Sequence, residues 1–219
     1  MIRDGQRKKR DQSRGRKPDL GYYAIFVNTE DTERHYFQGI RDSLPNALQR
    51  RLVITVKEAK TNNLINSCKK FLAYASQERR GWIVLDRDEV ADFDQIIETA
   101  KHEEICVAWS NPCFEIWLHA YYGDMPKTNN SDPGVASQQC IKAFASVYKK
   151  ENKKVYSKSD NKLYTHLKKT GNEQLAIEFA SRRYNDSAKD TRMPSQMDSC
   201  TRVFELVAEI KEKVRSAKN

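Results

Sequence analysis

The sequence predicts an α/β protein: a mostly parallel, four-stranded sheet flanked by helices, followed by an all-helical C-terminal extension. Three observations predict it. Four short runs of β-forming residues recur over about 100 residues, each run is followed by apolar positions at helical spacing, and only helical patterns follow the turn-rich segment 126–134. Residues 1–19 form a basic arm expected to be disordered, 20–125 the α/β domain, and 126–219 the helical region.

The first strand is expected over 22–27, where Tyr22-Tyr23-Ala24-Ile25-Phe26-Val27 is apolar on both faces, as a strand covered from two sides must be. Thr32 is suited to cap the helix after it, which carries Tyr36, Phe37, Ile40 and Leu44 at helical spacing and is stopped by Pro45. A second strand over 51–56 alternates Leu52, Ile54 and Val56 with other residues. A helix opening at Asn62 or Asn63 then places Leu64, Ile65, Cys68, Phe71, Leu72 and Ala75 on one side.

Trp82-Ile83-Val84-Leu85 is the third strand, and Phe93, Ile96, Ile97 and Ala100 mark its helix. A fourth strand over 105–109 runs into Ser110-Asn111-Pro112, with Pro112 placed for the first turn of the next helix. Helices over about 137–148, 161–169, 173–183 and 195–216 complete the chain.

The chain carries 39 Lys and Arg against 30 Asp and Glu, a formal charge of +9. Most of the excess lies in residues 1–17, where eight basic residues, including Lys8, Lys9, Arg10, Arg14, Arg16 and Lys17, face only Asp4 and Asp11. Too poor in apolar residues to fold alone, such an arm suits a polyanion, most simply nucleic acid phosphate. The lysines from Lys149 to Lys158 read first as a solvated face, with phosphate tracking as the second reading.

No apolar stretch approaches the ~20 residues that span a bilayer, and no apolar segment of a secretory signal follows the basic start, so no membrane partner and a cytoplasmic location are expected. Cys68, Cys106, Cys113, Cys140 and Cys200 show neither a disulfide framework nor zinc-ligand spacing. The sequence carries no signal for an oligomeric state.

The chemistry concentrates at Asp86-Arg87-Asp88, directly after the third strand. Two carboxylates one residue apart at the carboxyl end of a buried strand suit a hard divalent cation, because Mg²⁺ takes oxygen ligands and keeps several waters. Arg87 between them alternates to the other side. If the first and third strands are neighbours, an acid from Asn28-Thr29-Glu30-Asp31-Thr32-Glu33 would join them.

The succession Thr32-Glu33-x-x-Tyr36-Phe37, Asp86-x-Asp88 and Ser110-Asn111-Pro112-Cys113-Phe114-Glu115-x-Trp117-Leu118 resembles the RloB-like proteins, a branch of the Toprim superfamily. The resemblance covers roughly residues 20–122 well, and Asn-Pro-Cys-Phe-Glu-x-Trp is its most specific element. It implies a Toprim fold and a nuclease activity dependent on Mg²⁺, or Mn²⁺ in its place, against RNA (tRNA included) or DNA. It also implies a role in bacterial defence against phage, often beside an ABC-type ATPase.

The carried-over metal residues are Asp86 and Asp88. Asn28 stands where the family usually has a Glu, and Asn can neither act as a general base nor offer a metal more than a neutral carbonyl oxygen. Either catalysis is lost, leaving an interaction subunit that binds an ATPase or nucleic acid, or Glu30 or Glu33 reaches the site, or the Asn is an inactivating substitution. Ser110 and Asn111 are suited to cap the next helix or to hold a phosphate. Glu115 would sit in that helix's first turn, where a carboxylate meets the positive end of the dipole. A small-molecule phosphotransfer enzyme is disfavoured by the absence of a glycine-rich phosphate loop.

Overall fold

The computed structural model describes residues 18–28, 31–73, 79–88, 90–128, 132–190 and 193–217. Residues 1–17 of the basic arm, with Lys8, Lys9, Arg10, Arg14, Arg16 and Lys17, lie outside them, as do Glu30 and Ala75.

The elements run β1 (Gly21–Val27), α1 (Thr32–Asp42), α2 (Asn46–Gln49), β2 (Leu52–Glu58), a 3₁₀ turn (Thr61–Asn63), α3 (Leu64–Ala73), β3 (Arg80–Asp86), α4 (Phe93–His102), β4 (Cys106–Asn111) and α5 (Glu115–His119). The second half adds α6 (Pro133–Asn152), α7 (Leu163–Thr170), α8 (Glu173–Asp190), a 3₁₀ turn (Pro194–Gln196), β5 (Cys200–Thr201) and α9 (Val203–Ser216). Among the described residues no helix is long and apolar enough to cross a membrane.

The sheet order is β2-β1-β3-β4-β5. The four expected strands are parallel, and β1 and β3 are direct neighbours, with Phe26 opposite Ile83. The sheet gains a fifth strand from the helical region: β5 pairs antiparallel with the end of β4, Ser110 facing Thr201 and Asn111 facing Cys200. The final helix therefore begins at Val203 rather than near 195, because 200–201 is held by the sheet edge.

Alternation along the strands divides the core into two layers. Tyr23, Ile25, Val27, Trp82 and Val84 face one side, where α1, α5, α6, α7 and α9 contribute Tyr36, Phe37, Ile116, Trp117, Phe144, Leu167 and Val207. Ala24, Phe26, Ile83, Leu85 and Trp109 face the other, against Leu64 and Cys68 of α3 and Phe93 and Ala100 of α4. Each fully buried Leu, Ile or Phe contributes ~1.5–3 kcal/mol, so the faces fix the strand register, and a slip by one residue would turn every side chain to the wrong layer.

Several local expectations change. Thr32 is the first residue of α1 rather than its cap, and its hydroxyl pairs with Tyr156 Oη at 3.0 Å. Pro112 follows a cis peptide bond and lies in the bend before α5, which starts at Glu115. Pro45 ends the α1 segment as expected and stands at the N-cap of α2.

Candidate functional site

The parity of β3 decides where its terminal acid goes. Following Trp82 and Val84, Asp86 emerges on the α1 and α5 side of the sheet, at the carboxyl end of the central strand. There it is 7% exposed, and its Oδ2 accepts the backbone N–H of Phe114 at 2.8 Å. Its Oδ1 is buried with no hydrogen-bond partner among the described residues.

A buried carboxylate oxygen left unpaired is costly, and here it borders a chamber of about 90 Å³. Asp31, Thr32 and Glu33 line one side, from the start of α1. Asp88, Cys113, Glu115 and Lys158 line the rest. The expected meeting of the first-turn acids with the Asp86 pair is thus present, carried by Glu33 and Asp31.

The electrostatics follow from this crowding. Burial pushes the Asp86 carboxyl well above the usual carboxylate range, the charges of Glu33, Asp88 and Glu115 push it further, and only the Phe114 N–H pulls the other way. Glu115 is almost fully buried, yet it accepts a hydrogen bond from Tyr156 Oη at 2.8 Å and has Lys158 Nζ at 3.8 Å. The Tyr156 hydroxyl is itself raised far above its ordinary value, by burial first and then by Glu115. Lys158 is pulled down by burial but held above its ordinary value by Glu115, Glu33 and Asp86.

The lining is rich in carboxyl groups, the donor type that a hard divalent cation takes. Five carboxyl groups line the chamber, and a 2+ charge there would reverse the pressure on Asp86. Among the described residues no group of three or more His, Cys, Asp or Glu is placed to hold a metal ion together. That arrangement is compatible with Mg²⁺, which binds through one or two carboxylates and retains its waters, and not with a dedicated protein cage.

Other expected site residues lie elsewhere. Asn28 is directed to the turn before α3, its Nδ2 3.5 Å from Thr61 Oγ1, and it does not line the chamber. Its position continues the parity of Ala24 and Phe26, toward the opposite layer. Arg87, as alternation requires, also faces that layer, 3.4 Å from Asn111 Oδ1.

Ser110 and Asn111 neither cap α5 nor reach the chamber. Ser110 Oγ pairs with Thr201 Oγ1 at 3.2 Å, and Asn111 Nδ2 donates to the carbonyls of Pro194, Ser195 and Met197 at 3.1, 3.2 and 2.8 Å. Both are spent fastening the returning chain to β4. The sequence reading did not bring Tyr156 or Lys158 to the acids; the only signal was the lysine run, read first as a solvated face and second as phosphate tracking.

Strand order, parity and the acid-lined chamber define an α/β protein with a polar site at the carboxyl rim of a parallel sheet, where such folds place their ligands. The chain belongs to the RloB-like family: the model of that family, described as RloB-like protein, matches residues 23–210. No curated protein and no solved structure matches the chain.

Proposed function

We propose that this chain is a metal-dependent phosphodiesterase that cuts nucleic acid, RNA or DNA, as an effector of bacterial defence against phage, working with an ABC-type ATPase. The observation that carries the reading is the buried Oδ1 of Asp86, without a hydrogen-bond partner among the described residues and facing a chamber shared with Glu33, Asp88 and Glu115. A carboxylate so placed is costly in an empty protein and is compensated when a hard cation arrives. Mg²⁺, or Mn²⁺ in its place, is the cation proposed.

Asp86 and Asp88 would hold the ion, which when bound supplies positive charge to a phosphate oxygen and lowers the pKa of water. The Phe114 N–H orients Asp86, keeping Oδ1 turned to the chamber. Glu33 is the proposed proton acceptor. Water adds through its oxygen to phosphorus, one of its protons passes to Glu33, and the P–O bond to the neighbouring nucleotide breaks. The leaving oxygen takes a proton from solvent, giving one phosphate end and one hydroxyl end. Burial of Glu115 and Asp86 excludes bulk water from the inner wall, which strengthens each of these interactions. The basic arm adds affinity for the phosphate backbone.

Purified protein incubated with mixed tRNA, single-stranded DNA and duplex DNA tests the reading. Cleavage should require Mg²⁺ or Mn²⁺, stop with a chelator, and fall at least ~100-fold in Asp86→Asn and Asp88→Asn. Undiminished cutting by the purified Asp86→Asn protein would sink it.

The alternative, an interaction subunit without catalysis, is favoured by one observation: Asn28, where the resemblance implies a Glu, has its Nδ2 3.5 Å from Thr61 Oγ1 and does not line the chamber. That reading predicts no cleavage of any of the three substrates, with binding of nucleic acid or the ATPase retained.

A further inference from the structure

Lys158 is the only cation lining the acidic chamber among the described residues, and it comes from the helical half of the chain, in the segment between α6 and α7. We propose that Lys158 is the phosphate-contacting residue of this site: its ammonium binds a non-bridging oxygen of the phosphodiester held at the chamber mouth. The proposal rests on the metal-dependent reading above and extends it to a residue outside the acid motif.

The placement is built from several contacts. Tyr156 packs its ring on Phe144 at 4.7 Å and Tyr148 at 5.8 Å, in the main core layer. Its hydroxyl spans the chamber wall, 2.8 Å from Glu115 Oε1 and 3.0 Å from Thr32 Oγ1. Two residues further on, Lys158 is therefore fixed at its root, while its side chain stays half exposed. Its Nζ stands 3.8 Å from Glu115, beyond hydrogen-bond distance, and the oxygen it approaches, Oε1, already accepts a hydrogen bond from the Tyr156 hydroxyl. The ammonium thus keeps its donors for another acceptor.

Charge requires such an acceptor to meet a cation. Asp31, Glu33, Asp86, Asp88 and Glu115 present five carboxyl groups, and a phosphodiester entering among them is repelled unless positive charge also waits at the rim. A lysine offers a compact charge with three rotatable donors, suited to a phosphate oxygen. Lys158 transfers no proton in this role.

The test measures two bindings on the full chain: Mn²⁺, by loss of the free-ion EPR signal, and thymidine 3′,5′-bisphosphate to the Mn²⁺-loaded protein, by calorimetry. The nucleotide is too short to report on the basic arm. Lys158→Met should bind Mn²⁺ at least as tightly as the parent and lose ~10–100-fold in nucleotide affinity, the worth of one charged hydrogen bond. Lys158→Arg should recover most of that loss. Lys158→Gln serves in place of the Met variant should that protein fail to fold.

Equal nucleotide affinity in the parent and Lys158→Met overturns the assignment, and so does a parent that binds Mn²⁺ but no nucleotide. A parallel loss of Mn²⁺ affinity in the variant also overturns it, because the residue would then be structural. A parent that binds no Mn²⁺ overturns the metal-dependent reading itself, and this inference with it.

Discussion

The backbone N–H of Phe114 donates to Asp86 Oδ2 at 2.8 Å, joining the end of the central strand to the start of α5. This bond satisfies one oxygen of a carboxylate whose other oxygen is buried without a hydrogen-bond partner among the described residues. Asp86→Asn keeps the acceptor for Phe114 and removes the crowded charge. The metal-free variant should therefore be more stable than the parent at neutral pH, by ~1–3 kcal/mol, or a few degrees in Tm. Calorimetry in chelator checks this, and a lower Tm would contradict it.

Glu173 supplies the pH-dependent prediction. It accepts hydrogen bonds from Tyr121 Oη at 3.0 Å and Tyr164 Oη at 2.9 Å, and pairs with Lys168 Nζ at 3.1 Å and Lys211 Nζ at 2.8 Å. Burial would raise its carboxyl, but Lys211 and Lys168 outweigh burial and hold it below its ordinary 4.5. Its stabilisation is therefore present above that value and lost as pH falls through the depressed folded value. Glu173→Gln should cost ~1–3 kcal/mol at pH 7, discounted because both lysines are partly exposed, and the difference from the parent should shrink in acid. Denaturant titrations at pH 7 and pH 3 read both arms.

Asn111 is assigned to architecture. Asn111→Ala leaves the carbonyls of Pro194, Ser195 and Met197 without their shared donor and should cost about 2–4 kcal/mol. Mn²⁺ affinity should stay within a few-fold. A large fall in Mn²⁺ binding by a well-folded Asn111→Ala protein would return the residue to the site.

Asn28→Glu separates the two functional readings. A carboxylate at this position would extend toward Thr61 and the turn before α3, so cleavage should change by less than ~3-fold if Glu33 is the working acid. A gain of ~10-fold or more in the cleavage assay would mean that this position limits the natural chain, as the interaction-subunit reading holds.

Much of this was legible in residue order. The two-sided apolar run at Tyr22 to Val27 and the four β-rich segments predict the parallel sheet, and the period of two places Asp86 and Arg87 on opposite faces. Glu33 and Glu115 follow from the motif that also carries Tyr36, Phe37 and Trp117, all buried. The fifth strand was illegible because two paired residues, Cys200 and Thr201, give no periodic signal. Ser110 and Asn111 read as helix-capping or phosphate-holding residues until the chain returns from 84 to 91 positions away to occupy their hydrogen bonds. Lys158 sits in an aperiodic segment, and only the packing of Tyr156 on Phe144 brings it to the acids.

The contribution of Tyr156 and Lys158 to the chamber has a consequence for synthesis. A ribosome that has released the chain only as far as residue 150 has delivered Glu33, Asp86, Asp88 and Glu115 while the aromatic anchor and the ammonium are still to come. The nascent polypeptide thus carries an unfinished centre until its second half emerges, and translation itself delays the moment at which the pocket is whole.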